Sequence, residues 1–363
     1  MRGRDAGGGA GPAPAGLGGR LPAEWEPHAA TLLCFPRDGR DFPGKLAAVE
    51  WAFIEIIRKV ARHERVLLVV ASEARRAAVA ARLAKARADT RRVDFLVLRT
   101  NRGWMRDSGP LVVRRADGRR EALAFRFNGW AKYANHRLDQ RVPAAVAGRL
   151  GIPLAPVVHQ GRPVVLEGGA VEVNGAGTLI ATEECLLDPR TQVRNPGFTR
   201  RDYEAVFAAR LGAPNVIWLA KGIAGDDTHG HVDDICRFVN RTTVVACVEE
   251  NRRDANHRAL AENLERLRGA RLEDGGRLEV VPLPMPGRLD FESLRLPASY
   301  ANFLVTNGGV LVPTFNDPRD RRALGILAEL FPGREVCGIH AVDLVWGLGT
   351  LHCLSREIPV ERD

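Results

Sequence analysis

The chain has 363 residues, 45% of them hydrophobic, and a formal net charge of +9. That apolar content can bury a full core, as one large domain or two ordinary ones, and no apolar run reaches the roughly 18 residues of a membrane span. The basic excess does not indicate nucleic-acid binding: lysine occurs only at positions 45, 59, 85, 132 and 221, arginine is spread along the chain, and short runs such as Arg91-Arg92 lack the interleaved aromatics that stack bases.

Residues 1–19 are rich in Gly, Ala and Pro and read as a disordered lead. Their arginines are not followed by the apolar stretch of a secretory signal, which points to a cytoplasmic protein. No linker-like break follows, so residues 20–363 read as one domain. Thr31 to Phe35 reads as a strand, Leu46 to His63 as an amphipathic helix, Val66 to Ala71 as a strand, Glu73 to Arg87 as a helix and Val93 to Leu98 as a strand. Leu111 to Arg115 and Ala122 to Phe127 pair as a hairpin through Asp117-Gly118. Ala144 to Leu150 is a short helix. Val164 to Val173 and Thr178 to Thr182 form a second hairpin around Asn174-Gly175. Tyr203 to Leu211 is helical, and strands follow at Val216 to Leu219, Ile235 to Val239 and Thr243 to Val248. After a helix from His257 to Arg268 come strands at Leu278 to Pro282, Phe303 to Thr306 and Gly309 to Pro313. A helix at Arg321 to Leu330, a strand at Glu335 to Ile339 and a last strand around Cys353 complete the pattern.

Strand pairs interleaved with helices, recurring about five times, do not make a doubly wound nucleotide-binding sheet, and no glycine-rich phosphate loop follows a strand; Gly7-Gly8-Gly9 lies in the lead. The fold class is α/β, and imperfect repetition of a ββαβ unit suggests radial repetition around a central site. Six cysteines (34, 185, 236, 247, 337 and 353) lack CxxC spacing. Five of them sit in apolar or strand-like runs as small buried hydrophobes.

Four stretches carry candidate chemistry. Asp107, in Trp104-Met105-Arg106-Asp107-Ser108-Gly109-Pro110, lies at a strand-end loop, where it either serves a site or only caps the turn. Glu167, before Gly168-Gly169, sits inside an apolar run; a buried glutamate needs a partner, and an ordinary arginine is one choice. Gly225 to Asp234 packs four carboxylates and two imidazoles, which a fold tolerates mainly where a cation sits among them, a metal-free ion-pair network being the alternative. In a strand, His231 and Asp233 share a face, and His229 joins them if the strand extends back. Cys353 follows a glycine-rich approach with His352 beside it, so it is either a presented nucleophile whose pKa a nearby imidazolium lowers, or a structural thiol. The cation is a metal or a charged substrate. A metal hydrolase would use His229, His231 and Asp233, but no HExxH or CxxC is present. A planar guanidinium, gripped bidentately by two carboxylates, fits the acid-rich set better.

Taken together with Pro22-Ala23-Glu24-Trp25-Glu26-Pro27-His28, Thr182-Glu183-Glu184-Cys185-Leu186-Leu187 and Asn307-Gly308-Gly309-Val310, these motifs resemble the agmatine deiminase family, related to bacterial-type peptidylarginine deiminases of the guanidine-modifying superfamily. The resemblance runs from Leu21 to Pro359. It implies a five-bladed α/β propeller (pentein) acting as a hydrolase that converts agmatine to N-carbamoylputrescine and ammonia, in putrescine and polyamine biosynthesis. Cys353 would be the nucleophile, His231 the general acid/base, Glu167 its catalytic partner, and Asp107 and Asp233 the guanidinium clamp. Trp104, Arg106, Asp227, His229 and Gly349 join the substrate-binding set. No metal or cofactor is implied, and the partner is a small guanidino compound; a homo-oligomer stays open. Three positions depart from the family pattern: Arg102 replaces an aspartate, and Leu348 and Thr350 replace a glycine and an asparagine in the approach to Cys353. A basic Arg102 at the mouth suits a tail bearing a carboxylate, so arginine or peptidylarginine deimination is the alternative within the same chemistry. A propeller kept as a binding module, with Leu348 and Thr350 blocking the thiol, is the non-enzymatic one.

Overall fold

The computed structural model describes residues 19–37 and 39–361. The lead up to residue 18, with its glycine triplet, lies outside the described residues.

The helices form where sequence periodicity and caps agree. Leu46–Val60 buries Val49, Phe53, Ile56, Ile57 and Val60 on one stripe, the 3.6-residue spacing of a helix packed on a sheet. Ser72 caps the helix Glu73–Lys85 by accepting from the Arg75 N–H, and Thr199 with Asp202 forms a capping box at Arg200–Val206, each offsetting an orphan donor at about 1 kcal/mol.

The strands assemble into five sheets of three or four strands, besides two small hairpins. Every sheet contains the same unit: an antiparallel pair, then a helical crossover to a strand parallel to the second. Cys236–Phe238 pairs antiparallel with Thr243–Val248, which pairs parallel with Glu279–Pro284 across the helix Asn256–Gly269. The units built on Leu111–Arg115, Glu172–Val173 and Leu304–Val305 follow the same order. In the fifth unit the first strand comes from the far end of the chain: Ser355–Pro359 runs antiparallel to His28–Cys34, which is parallel to Arg65–Val70. The strands His28–Cys34 and Ser355–Pro359, more than 300 residues apart in sequence, are therefore neighbours in one sheet. This is a mixed α/β fold.

One regularity governs function. Each first strand is entered through a short irregular segment, and each segment carries a buried polar side chain. Asp107 precedes Leu111–Arg115, Glu167 precedes Glu172–Val173, Asp233 precedes Cys236–Phe238, Asn302 precedes Leu304–Val305 and Cys353 precedes Ser355–Pro359.

Five expectations need correction. The run from Val164 to Val173 is not one strand: Glu167 starts a 3-10 turn at Gly168–Ala170, and only Glu172–Val173 pairs. The two glycines let the chain turn Glu167 inward, since a Cβ on Gly169 would stand 2.5 Å from His231 Nδ1. His231 and Asp233 do not lie in a strand; Val232–Asp234 is a 3-10 turn and His229 has φ +65, so strand parity does not apply. The last strand begins after Cys353, at Ser355. Helix 203–211 widens into a π-turn over Phe207–Leu211. Among the five cysteines expected to be buried, Cys337 is only half-buried.

Candidate active site

Asp107 sits in a one-turn helix, Met105–Ser108. Its Oδ2 accepts from Trp130 Nε1 at 2.9 Å and its Oδ1 from the Gly169 N–H at 3.3 Å. His231 is fully buried, and carboxylates stand around its ring: Asp107 Oδ1 is 3.8 Å and Asp233 Oδ1 4.0 Å from Nδ1, and Glu167 Oε2 is 3.8 Å from Nε2. These are ion-pair rather than hydrogen-bond distances, and neither ring nitrogen has a hydrogen-bond partner. The Asp226 carboxylate holds the backbone of Gly230 and His231. Asp233 Oδ2 lies 2.6 Å from His352 Nδ1, while its Oδ1 is buried and unpartnered.

Cys353 Sγ is 3.7 Å from Asp233 Oδ2 and receives an N–H from Asn302 at 3.0 Å. Gly349 packs against it; a Cβ there would come within 3.0 Å of the Cys353 Cβ and of the Trp104 ring. Asp107, Cys353 and Trp104 line a cavity of about 190 Å³, with Trp130, Tyr133 and Asp227 on its wall. Asp227 is held by the Tyr133 hydroxyl at 2.7 Å and by Lys132.

Burial and charge set the protonation states. Burial opposes a charged ring, yet the Asp107 carboxylate above all raises the His231 pKa well above the usual imidazole range. Burial also dominates at Glu167, but Arg194, 3.2 Å away, and then His231 pull the carboxyl down to about 2. At Asp107 burial raises the pKa, with the charges of Asp233 and Glu167 adding to it. Burial, then Asp233, Asp234 and Asp107, push the Cys353 thiol well above its ordinary value. The expected lowering by an adjacent imidazolium does not occur, because the His352 ring turns away to bridge Asp233 and Glu24 Oε2 (2.8 Å). The centre thus holds a neutral thiol, a cationic imidazole and several anionic oxygens. A cation entering between Asp107 and Asp233 would offset their repulsion of a thiolate.

The remaining sequence candidates divide. Arg106 lies beneath the cavity, bonded to Glu357 Oε2 (2.6 Å) and the His352 carbonyl (3.2 Å). His229 does not line the cavity; its Nε2 is 2.9 Å from Asp188 Oδ2. The metal set of His229, His231 and Asp233 is therefore not assembled. Glu167 is paired with Arg194 and faces His231 across 3.8 Å. Arg102 lines the mouth but is not an open positive charge: it pairs with Asp41 at 2.6 Å and stacks 4.2 Å over the Tyr133 ring. Leu348 lines the cavity at φ +69, and Thr350 Oγ1 donates to Asn302 Oδ1 at 2.8 Å.

Sequence reasoning missed Asn302, Trp130, Arg194, Cys185 and the role of Glu24. Asn302 was reachable through the repeat: four units had a polar residue before their first strand, and the unit entering Leu304–Val305 lacked one. Trp130 carried no signal, since only the fold brings its loop to Asp107.

The family model for Porphyromonas-type peptidyl-arginine deiminase matches residues 20–359. An agmatine deiminase of Stutzerimonas stutzeri is 33% identical over 362 residues, covering 93% of this chain and 95% of its own. The structure of an agmatine deiminase of Enterococcus faecalis superposes with a TM-score of 0.85 at 26% identity, over 96% of this chain and 99% of that one. A candidate arginine deiminase from Porphyromonas gingivalis is 36% identical with a TM-score of 0.83, over 93% of this chain and 98% of that one.

Proposed function

The chain belongs to the Porphyromonas-type peptidyl-arginine deiminase family, and from that premise we propose that it is a guanidine deiminase converting agmatine to N-carbamoylputrescine and ammonia. The observation that carries this reading is that Cys353 and Asp107 line one cavity while Asp233 and His231 pack directly behind them, Asp233 Oδ2 3.7 Å from the Cys353 sulfur and His231 Nδ1 3.8 Å from Asp107 Oδ1, with the other oxygen of Asp233 and both His231 nitrogens lacking hydrogen-bond partners. A guanidinium presents donors to the two carboxylates in a fixed plane, each charge-assisted bond contributing roughly 1.5–3 kcal/mol.

In this scheme the substrate's charge lowers the thiol pKa, the thiol proton passes to solvent, and the Cys353 thiolate adds to the guanidinium carbon. The His231 imidazolium gives its proton to one amino group, which leaves as ammonia, and a cationic thiouronium remains on sulfur. The neutral imidazole, oriented by Glu167, takes a proton from water as the oxygen attacks. Expulsion of the thiolate, with loss of the hydroxyl proton to solvent, releases the neutral ureido product. No step requires a metal or a cofactor.

The five ββαβ units, each pointing one entry segment at the centre, support a five-bladed α/β propeller in which 20–363 is a single catalytic domain. Six free cysteines suit a reducing, cytoplasmic setting, and the product suits putrescine and polyamine biosynthesis. No helix among the described residues is long and apolar enough to cross a membrane. A cavity of about 190 Å³ is smaller than the roughly 300–1,000 Å³ of pockets for drug-sized ligands, which favours a small guanidino compound over a peptide. Arginine is the second reading, favoured by the 36% identity with a candidate arginine deiminase of Porphyromonas gingivalis. An ammonia-release screen of agmatine, arginine, blocked arginine peptides and short guanidino acids decides between them. Release from none of these ends the deiminase reading.

A further inference from the structure

We propose that Glu167, Cys185 and His231 form a binding site for a divalent transition-metal cation of the zinc type, and that its occupancy switches the centre off. Their donor atoms lie within 4.8 Å of one another. They come from three different segments: the turn before Gly168–Ala170, the helix Glu183–Leu187 and the turn into Val232–Asp234. One sulfur, one imidazole nitrogen and one carboxylate oxygen are a donor set that zinc accepts and that calcium or magnesium does not favour.

A second observation points to a ligand. His231 is completely buried, yet its Nε2 has no hydrogen-bond partner and faces Glu167 Oε2 across 3.8 Å. Nitrogen and oxygen ligands on one tetrahedral zinc stand about 3.4 Å apart, so a small side-chain rotation closes the gap. Arg194 grips Glu167 through both oxygens, at 3.2 and 3.3 Å, and would orient it as an outer-shell partner. Cys185 is fixed by its helix start, where Thr182 accepts its N–H at 3.1 Å, and it has no part in the deimination scheme. On binding, the thiol and the imidazolium each release one proton to solvent while two positive charges enter, so the net charge of the centre is conserved.

The other thiol-containing cluster, Asp233, Asp234 and Cys353, suits the ion less. Its carboxylates already serve His352 and Asn302.

The site is independent of the deiminase reading; only its inhibitory consequence rests on it, because a metallated ring nitrogen can neither give nor take the catalytic proton. The test uses Co²⁺ as the probe on the full chain carrying Cys353→Ser, which removes the other thiol of the centre. We expect one equivalent of Co²⁺ to produce thiolate-to-cobalt absorption that Zn²⁺ displaces, and Cys185→Ser in the same background to abolish it. No absorption in the Cys353→Ser protein, or absorption that survives Cys185→Ser, overturns the proposal. Should the Cys185→Ser variant fail to fold, Cys185→Ala serves instead. It must weaken Co²⁺ binding at least about tenfold, and unchanged affinity overturns the site. In protein with Cys353 intact, Zn²⁺ must suppress ammonia release and Cys185→Ser must raise the zinc concentration required. Failure of the deiminase reading would appear as no ammonia release at all, leaving the cobalt titration unaffected.

Discussion

The Asn302 amide and the Cys353 thiol form one unit: Nδ2 is 3.0 Å from Sγ, while Oδ1 accepts from the backbone N–H groups of His352 and Cys353 and from Thr350 Oγ1. The nitrogen donates to the nucleophile and the oxygen holds its backbone. Asn302 therefore fixes where the sulfur sits and is the hydrogen-bond donor that draws its pKa down against burial and three carboxylates. Asn302→Ala should move the midpoint of the alkylation-rate profile of Cys353 to higher pH. It should also lower kcat by about 10–100-fold with a smaller change in KM. A purely structural asparagine would leave the alkylation midpoint in place.

Cys353→Ser should reduce ammonia release by on the order of a thousandfold or more, because a hydroxyl in this anionic pocket is a far weaker nucleophile. Calorimetry should still detect binding of the guanidino substrate, since Asp107 and Asp233 remain. Normal turnover by this variant would remove the covalent route.

Trp130 positions Asp107 through a single bond to Oδ2. Trp130→Phe keeps most of the ring volume and removes that donor, at a cost of about 1–2 kcal/mol. We expect a roughly tenfold fall in kcat/KM, and a further Asp107→Asn change should cost less in the variant than in the parent. Full additivity of the two changes would contradict the coupling.

Glu167 links acid stability to the centre. Its folded pKa of about 2 lies below the ordinary 4.5, so its contribution is fully present above 4.5 and is lost as pH falls from 4.5 towards 2. Burial without Arg194 would reverse that sign. Glu167→Gln should destabilise the protein at neutral pH by about 3–5 kcal/mol, because it leaves the Arg194 charge buried and unpaired. It should also flatten the fall in stability over that acid window, as read by urea unfolding at a series of pH values.

Arg102 balances Asp41 at the mouth. Arg102→Ala removes a cation from the mouth, so the preference should shift toward a cationic tail and away from a carboxylate. A change of about 1 kcal/mol, roughly fivefold in the ratio of kcat/KM for agmatine over arginine, is expected. A ratio that stays constant would mean the tail does not meet this pair.

Much of the fold is legible along the chain. The helix Leu46–Val60 and the strands Thr243–Val248 and Gly309–Thr314 appear where periodicity and turn residues mark them, because local burial of one face is encoded locally. The elements that went unread were the short ones. Leu154–Pro156 and the hairpin Asp290–Phe291 with Leu294–Arg295 have too few residues to show a period. Near the centre the rules of regular strands failed, since the segments holding Glu167, Asp233 and Cys353 are turns that carry their side chains into the buried centre.

By itself the sequence determined the chemical inventory: a thiol, an imidazole and an excess of carboxylates that favours a cation, set in a repeating α/β pattern. Residue type fixes what a group can do, and spacing fixes its local element. Only the tertiary structure decided which groups meet. It paired His229 with Asp188 outside the cavity, turned His352 away from the thiol, neutralised Arg102 with Asp41 and brought Asn302, Trp130 and Cys185 into the centre. Distances between residues far apart in the chain, and the burial that sets their protonation, follow from packing the five sheets together, and no local pattern carries them.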